Sequence, residues 1–121
     1  MSRVFLLADD ARLRADIELE LRRSRHVVHA RATHQFFVGD VRAFAPEVII
    51  LDCTDESTAA LARLTILRDP QLVNVPLVAI AHSAEEAHAF GAQALLPRPL
   101  HPGDVDHVVG ALLPPVVAQQ A

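Results

Sequence analysis

Short runs of apolar residues alternate along the chain with segments in which apolar residues recur every three or four positions. The run Val48-Ile49-Ile50-Leu51 is too short to cross a membrane and is rich in β-branched residues. It therefore predicts a strand buried on both faces in the middle of a parallel sheet. Four other apolar runs predict the remaining strands, at residues 4–8, 27–30, 77–81 and 94–96.

The segments between these runs predict helices. In the first, Leu13, Ile17 and Leu21 recur every four residues with charges between them, as in an amphipathic helix. The third has an apolar face of three leucines, Leu61, Leu64 and Leu67. The predicted helices cover residues 11–25, 34–45, 57–69, 83–90 and 102–113. Strands that alternate with helices predict an α/β fold of (βα)5 type, a doubly wound sandwich around a parallel sheet with right-handed crossovers.

Length and composition are typical of a single domain. A chain of 121 residues is long enough for one hydrophobic core. Apolar residues make up 51% of it and aromatic residues only 4%, so the core must be aliphatic. We expect the domain to cover residues 1–113. The helix-breaking pair Pro114-Pro115 then begins a C-terminal tail or linker over residues 114–121.

Charge and cysteine content exclude several classes of protein. The net charge is −4 and the arginines are balanced by acids, so no nucleic-acid-binding surface is predicted. The single cysteine, Cys53, cannot form a disulfide within the chain, which fits a reducing cytosol, and we interpret it as a small buried apolar residue. No apolar run has the length of a signal peptide or a membrane span. We expect a cytoplasmic domain that binds neither membrane nor nucleic acid.

Acidic residues follow two of the predicted strands. Asp9 and Asp10 come after the first strand, and Asp52 ends the third. In open α/β sheets, ligands bind beyond the carboxyl ends of the strands. Clustered carboxylates repel one another and need a cation, and oxygen ligands suit Mg²⁺. Asp10 could instead be the N-cap of the first helix, and Asp52 could begin a polar turn. For Asp9 and Asp52 together we favour a site.

Five short motifs, in this order and spacing, carry a resemblance to a known family. They are residues 3–10, 46–52, 74–80, 91–92 and 98–100. From Arg3 to about Leu113 the chain resembles the receiver domain of bacterial two-component response regulators. The resemblance implies a flavodoxin-like fold with strand order 2-1-3-4-5.

The resemblance also implies roles for individual residues. Asp52 corresponds to the acid that accepts a phosphoryl group from a histidine kinase. Asp9 corresponds to an acid that binds Mg²⁺ directly, and the backbone carbonyl of Thr54 to a further Mg²⁺ ligand. The family's cis peptide bond corresponds to the bond between Arg98 and Pro99. We expect that bond to direct Arg98 into salt-bridge reach of Asp52.

The chain departs from the family at positions around this site. The family usually has two successive acids after strand 1, where this chain has Ala8 and Asp9. It usually has Thr or Ser at the end of strand 4, an aromatic residue on strand 5 and Lys before the proline. This chain has Ala81, Leu95 and Arg98 at those positions. With one carboxylate fewer, any Mg²⁺ site should be weak.

These departures leave the predicted phospho-acceptor Asp52 in place. They affect the residues that would respond to its phosphorylation. Ala81 has no hydroxyl that could bind a phosphoryl group, and Leu95 has no polar tip that could reorient. His82 or Ser83 could substitute only if strand 4 slipped by one residue, and such a slip would invert the faces of the strand.

Three functions compete. We favour an atypical receiver module that serves as a protein-docking domain with weak or no phosphoryl switching. The alternative is a working receiver that a histidine kinase phosphorylates on Asp52. An enzyme such as a Mg²⁺-dependent phosphatase is disfavoured because no acid lies two residues after Asp9 or Asp52. We therefore expect no enzymatic activity.

Partners are predicted from the resemblance and from apolar surface. The expected partner is a histidine kinase or a downstream signalling protein. A homodimer could form through the face of helix 4, strand 5 and helix 5, where Leu95, Leu96 and Leu100 predict an exposed aliphatic patch. The seven histidines show no metal-ligand spacing and are interpreted as surface or loop residues.

Overall fold

Strands and helices alternate along residues 2–54 and 56–113, the part of the chain that the computed structural model describes. The strands are β1 (Arg3–Leu7), β2 (Val27–Arg31), β3 (Val48–Asp52), β4 (Leu77–Ala81) and β5 (Ala94–Pro97). The helices are α1 (Ala11–Arg23), α2 (Val38–Phe44), α3 (Glu56–Arg68), α4 (Ala84–Ala89) and α5 (Asp104–Leu112). The predicted tail, residues 114–121, lies outside the described residues.

All five strands belong to one parallel sheet with the order β2-β1-β3-β4-β5. The predicted flavodoxin-like topology is therefore confirmed. Leu7 pairs with Leu51, and Asp52 pairs with Ile80, so β1, β3 and β4 end close together. The candidate acids consequently share one edge of the sheet.

Helices cover both faces of the sheet. On one face, α1 and α5 supply Ile17, Leu21 and Val109 to a core that includes Leu6 and Ile50. On the other face, α2, α3 and α4 pack over the opposite side of the same strands. The buried helical residues there are Val41, Ala59, Ala62, Ile66 and Ala87. Because β3 and β4 are buried along their whole length, the continuous apolar runs in the sequence are explained.

The second helical segment is shorter than predicted. A 3₁₀ turn at Thr33–Gln35 comes first, and α2 begins only at Val38. The Phe37 side chain, just before α2, stays outside the core, since 63% of it is exposed. Its ring lies over Gly39, where a Cβ atom would come within 2.7 Å of the ring. Gly39 therefore makes room for the ring.

The third helix presents its leucines to solvent. The residues of α3 that face the sheet are Ala59, Ala62 and Ile66. Its outward residues include Leu61, Leu64 and Leu67, which are 68%, 42% and 39% exposed. Both faces of α3 are thus apolar, and two of the three buried side chains are alanines.

The aliphatic patch expected near β5 is not formed, so that prediction is wrong. Leu96 is fully buried, because its side chain points to the face of the sheet that α1 and α5 cover. Leu95 is partly buried against the opposite core, and Leu100 packs against the core between α1 and α5. Among the described residues, none of the strongly exposed large hydrophobic side chains lies on α4, β5 or α5.

Across residues 2–54 and 56–113, we find no helix with the length and apolar character that crossing a membrane requires.

Candidate functional site

Asp52 ends β3 at the edge where the other acids gather. It is only 7% exposed. One of its carboxylate oxygens, Oδ1, accepts a hydrogen bond from the backbone N–H of Thr54 at 3.0 Å and another from the Thr54 hydroxyl at 2.6 Å. Two donors on one oxygen offset the cost of burying a carboxylate. The turn that follows β3 therefore fixes the orientation of Asp52.

Arg98 reaches Asp52 through the Thr54 hydroxyl. Nη1 of Arg98 donates to Oγ1 of Thr54 at 2.7 Å, and the same hydroxyl donates to Asp52. The other terminal nitrogen, Nη2, lies 3.9 Å from Oδ2 of Asp10. The predicted direct salt bridge from Arg98 to Asp52 is therefore wrong. The guanidinium instead donates to Thr54 and forms a long ion pair with Asp10. The bond between Arg98 and Pro99 is cis, as predicted.

Asp9 is held by donors from two other elements. Its Oδ1 accepts from the backbone N–H of His34 at 2.9 Å and lies 2.7 Å from the ring nitrogen Nδ1 of His34. Its Oδ2 accepts from the Thr58 hydroxyl at 3.2 Å. Burial opposes ionisation of Asp9, but the hydrogen bonds from His34 and Thr58 outweigh it and lower the pKa of the carboxyl. Both oxygens of Asp9 are thus already in use.

His34 was expected to be an unremarkable surface residue, and its contact with Asp9 was missed. It lies in the 3₁₀ turn that follows β2. Because β2 is the neighbour of β1, the turn after β2 lies beside the acids that follow β1. The predicted strand order was the signal that could have found it.

Asp10 is the N-cap of α1. Its Oδ1 accepts from the backbone N–H groups of Leu13 and Arg12, at 3.1 and 3.0 Å. The hydrogen bond from Leu13 is the main cause of its lowered pKa, with Arg12 and Arg98 contributing. The capping interpretation is therefore confirmed, and Asp10 contributes to the site only through its long-range pairing with Arg98.

The end of β4 supplies no hydroxyl to the site. Ala81 is fully buried and closes the strand in the predicted register. The hydroxyl of Ser83 accepts from the backbone N–H of Glu86 and caps α4. The backbone N–H of His82 donates to the Glu86 carboxylate at 3.0 Å. Neither residue has taken the place of Ala81, because β4 has not slipped.

Cys53 is buried next to the acceptor, as expected. Burial, with a smaller contribution from the charge of Asp52, raises the pKa of its thiol to about 12. The thiol therefore stays protonated at neutral pH and is a poor nucleophile.

The donor set suits a hard cation in type. Asp9, Asp52 and the Thr54 carbonyl offer oxygen atoms, which Mg²⁺ prefers, with water completing its shell. Within the described ranges, no group of three or more His, Cys, Asp and Glu side chains is arranged to hold a metal. A cation at this edge would have to share Asp9 with His34 and Thr58.

An open groove of about 750 Å³ lies next to the site, between α1 and the segment after β5. Leu13 and Ile17 line it on the α1 side, and Arg98 and Leu100 line the other side. Since Arg98 also contacts Thr54, a molecule in this groove would touch a residue that is linked to Asp52.

Solved structures with this architecture are response-regulator receiver domains. The chemotaxis response regulator CheY4 of Vibrio cholerae superposes with a TM-score of 0.82 at 18% identity, over 93% of this chain and 99% of that chain. A response regulator receiver protein from Burkholderia phymatum has a TM-score of 0.75 at 24% identity, over 93% and 94% of the two chains. The receiver domain of the sensor histidine kinase PA1611 from Pseudomonas aeruginosa, described with magnesium in its active-site cleft, has a TM-score of 0.77 at 20% identity, over 92% and 96%.

No protein-family model and no curated protein matches the chain by sequence. The structural likeness, at identities below 25%, establishes the fold. The chain has the flavodoxin-like fold of the receiver domains of two-component response regulators, which is the class that its sequence motifs predicted.

Proposed function

We propose that this chain is an atypical receiver module of two-component signalling that acts mainly by docking to a protein partner, with weak or no phosphoryl switching. The observation that carries the proposal is the end of β4. Ala81 lies there, fully buried and without a hydroxyl, on the strand next to the one that ends in Asp52. The predicted phospho-acceptor Asp52 is therefore present, but Ala81 provides no hydroxyl that could bind its phosphoryl group.

The acceptor itself is well formed, which supports the alternative of a working receiver. Phosphorylation would join a carboxylate oxygen of Asp52 to phosphorus and break the bond from phosphorus to the histidine of a kinase, which leaves with the electron pair. The guanidinium of Arg98, one hydroxyl away, could neutralise part of the added charge. Slow phosphorylation of Asp52 is consistent both with the docking module and with a working receiver.

Mg²⁺ binding is part of the proposal, and it should be weak. Asp9, Asp52 and the backbone carbonyl of Thr54 would hold the ion, which would neutralise charge as the phosphoryl group is transferred. Ala8 supplies no carboxylate, and both Asp9 oxygens already accept hydrogen bonds. The magnesium described in the PA1611 receiver domain supports a cation at the same edge of the fold.

Two positions should prevent phosphorylation of Asp52 from changing the conformation of the rest of the domain. Ala81 can form no hydrogen bond to a phosphoryl group, and Leu95 is an apolar side chain packed partly into the core. A ligand shifts a conformational equilibrium only through contacts that differ between the two states. Without those contacts, the surface near Leu95 should keep one conformation.

The partner is a protein in this proposal, either a histidine kinase or a downstream signalling protein. A cytoplasmic location, the lack of enzymatic activity and the lack of nucleic-acid or membrane binding stay predictions. The homodimer through α4, β5 and α5 also stays a prediction, although the aliphatic patch that suggested it is not formed.

An amide NMR titration with Mg²⁺ and beryllofluoride, a mimic of the phosphoryl group, tests the proposal. We expect shifts confined to the surroundings of Asp9, Asp52 and Thr54, and no response in an Asp52→Asn variant. Large shifts that run from Asp52 through Ala81 to Leu95 would contradict the docking module and support a working switch. Mass measurement after treatment with a small phosphoryl donor gives the rate of modification separately.

A further inference from the structure

A charged side chain with unused hydrogen-bond donors lines the groove between α1 and the segment after β5. The guanidinium of Arg98 donates one hydrogen bond, from Nη1 to the Thr54 hydroxyl, and its Nη2 lies 3.9 Å from Oδ2 of Asp10. These are its only side-chain partners among the described residues. A guanidinium carries more N–H donors than these contacts use, and this side chain is only 26% exposed. Arg98 can therefore bind an anion from the groove.

The walls of the groove are mainly aliphatic. Leu13 and Ile17 of α1 line it on one side, and Leu100 and Val105 line it on the other. Ile17 and Val105 are each only 2% exposed, so the groove reaches down to the hydrophobic core. Its volume of about 750 Å³ lies in the range of small-molecule sites. The groove therefore has the size and the lining to hold an apolar body beside Arg98.

The two walls of the groove are joined by Glu20 of α1. One of its carboxylate oxygens accepts from the backbone N–H of Gly103 at 3.1 Å, and the other accepts from the backbone N–H of Asp106 at 3.0 Å. The hydroxyl of Ser24, just after α1, also donates to the Asp106 carboxylate. The groove is thus formed without a ligand, and the charge of Glu20 is already engaged at the start of α5.

The remaining charges favour a singly charged acid over a phosphate. Asp16 lines the groove and is exposed, so it would repel a dianion about twice as strongly as a carboxylate. A guanidinium also pairs with a carboxylate through two parallel hydrogen bonds. A ligand carboxylate would displace only the long contact from Arg98 to Asp10. The other ionisable residues along the groove are exposed, and solvent screens their charges: Arg23, His82 and His101.

From this arrangement we propose that the groove binds a small amphipathic carboxylic acid, with its carboxylate on Arg98 and its aliphatic body between Ile17 and Val105. The site contains neither Asp9 nor Asp52, so binding requires neither Mg²⁺ nor phosphorylation. For an unbranched acid of about ten carbons we expect a dissociation constant of about 1 mM, from the binding energy that a ligand of this size usually gains per atom.

An amide NMR titration with decanoate tests the site. We expect saturable shifts along the groove, at Leu13, Arg98 and Leu100. Acetate, which lacks the aliphatic body, and decyltrimethylammonium, which carries the opposite charge, should bind at least about tenfold more weakly. Absence of shifts at about 5 mM decanoate overturns the proposal.

Two other occupants give different results in the same titrations. Equally tight binding of decyltrimethylammonium would mean that the groove selects only for apolar surface, as a groove for a protein segment would. Shifts of the groove amides that appear on raising the protein concentration without ligand would assign the groove to a second copy of the chain. Either result overturns the proposal.

Three variants test the contact with the carboxylate. Arg98→Met should weaken decanoate binding about tenfold, the loss of a charge-assisted hydrogen bond. The matched control Arg12→Met removes the same charge from an exposed position outside the groove and should leave binding unchanged. Asp10→Asn keeps a good N-cap for α1 and removes the competing charge, so it should tighten binding about two- to fivefold.

Circular dichroism melting establishes that the three variants are folded. Unchanged affinity in Arg98→Met, or a tenfold loss in Arg12→Met, would place the carboxylate elsewhere and overturn the proposal. Weaker binding by Asp10→Asn would contradict it as well, because Asp10 would then support the ligand instead of competing with it.

Discussion

His34 holds Asp9, the carboxylate after β1 that is proposed to bind Mg²⁺. The backbone N–H of His34 lies 2.9 Å from Oδ1 of Asp9, and its ring nitrogen lies 2.7 Å from the same oxygen. A divalent cation and the imidazole therefore compete for one oxygen. His34 therefore already engages an oxygen that Mg²⁺ would need, which agrees with the weak affinity proposed for Mg²⁺.

Removing the imidazole should strengthen Mg²⁺ binding. In His34→Ala the backbone donor remains and only the ring contact is lost. We expect affinity to rise roughly three- to tenfold, equivalent to about 1 kcal/mol, the size of one side-chain hydrogen bond. Isothermal titration calorimetry measures it, and His88→Ala, an exposed change on α4, is the control. Equal affinities in all three proteins would mean that the ring does not compete.

The hydroxyl of Thr54 should couple Arg98 to the acceptor. Thr54→Val removes the hydroxyl with little change in shape, and Arg98→Met removes the charge. In a double-mutant cycle of unfolding free energies, we expect a coupling of about 0.5–1.5 kcal/mol between the two changes. Arg98 is also 3.9 Å from Asp10, so the single Arg98→Met change should cost more than the coupling alone. Strictly additive losses would show that the relay from Arg98 to Asp52 has no energetic role.

Stability should depend on pH through His29. Its ring stacks on Phe5 with centroids 4.9 Å apart and meets Phe44 edge-on at 5.4 Å. Its Nε2 atom is buried, with no hydrogen-bond partner among the described residues. Burial, with help from the charge of Arg31, lowers the pKa of His29 below its usual 6.5.

The sign of this effect follows from linkage. Below pH 6.5 the unfolded chain binds a proton at His29 that the folded protein resists, so stability falls as the pH drops towards the folded pKa. Well above pH 6.5, His29 makes its full contribution to the free energy of unfolding, which then no longer changes with pH through this residue. Urea unfolding at pH 7.5 and 5.5 should show this loss, and His29→Gln should reduce the difference. The exposed control His107→Gln should retain it. A pH dependence that His29→Gln leaves unchanged would assign the titration to another group.

The sequence was a sufficient guide to the sheet and to the acids at its edge. Short apolar runs rich in β-branched residues, such as residues 48–51, predict buried strands, and a parallel sheet brings the ends of β1 and β3 together. The convergence of Asp9 and Asp52 on one edge follows from those facts. The partners of these acids do not follow, because they depend on side-chain placement. His34 and Thr58 reach Asp9 from a turn and a helix that are 25 and 49 residues away in sequence.

The spacing of apolar residues also did not predict which face of α3 is buried, because both faces of this helix are apolar. Leu61, Leu64 and Leu67 were predicted to form the apolar face of α3, but its alanines lie on a second apolar face. The structure instead buries Ala59 and Ala62, since small residues let the helix lie close to the sheet. Leu96 shows the opposite error, because it was predicted on a surface and is fully buried. Which apolar face is covered is set by tertiary packing and not by local pattern.

Restoring a hydroxyl at the end of β4 should restore a response to the phosphoryl group. Ala81→Ser adds one oxygen on the strand next to Asp52, where the family resemblance places a hydroxyl. We expect beryllofluoride to produce larger amide shifts in β4 and β5 of Ala81→Ser than in the unmodified chain. Ala81→Cys, nearly the same size but a weak hydrogen-bond donor, is the matched control and should behave as the unmodified chain does. The buried hydroxyl should lower stability by about 1–3 kcal/mol in the absence of the ligand, which urea unfolding measures. If Ala81→Ser binds beryllofluoride and still shows no shift beyond Thr54, the missing hydroxyl is not what disconnects the site. The apolar Leu95 would then be the next position to change.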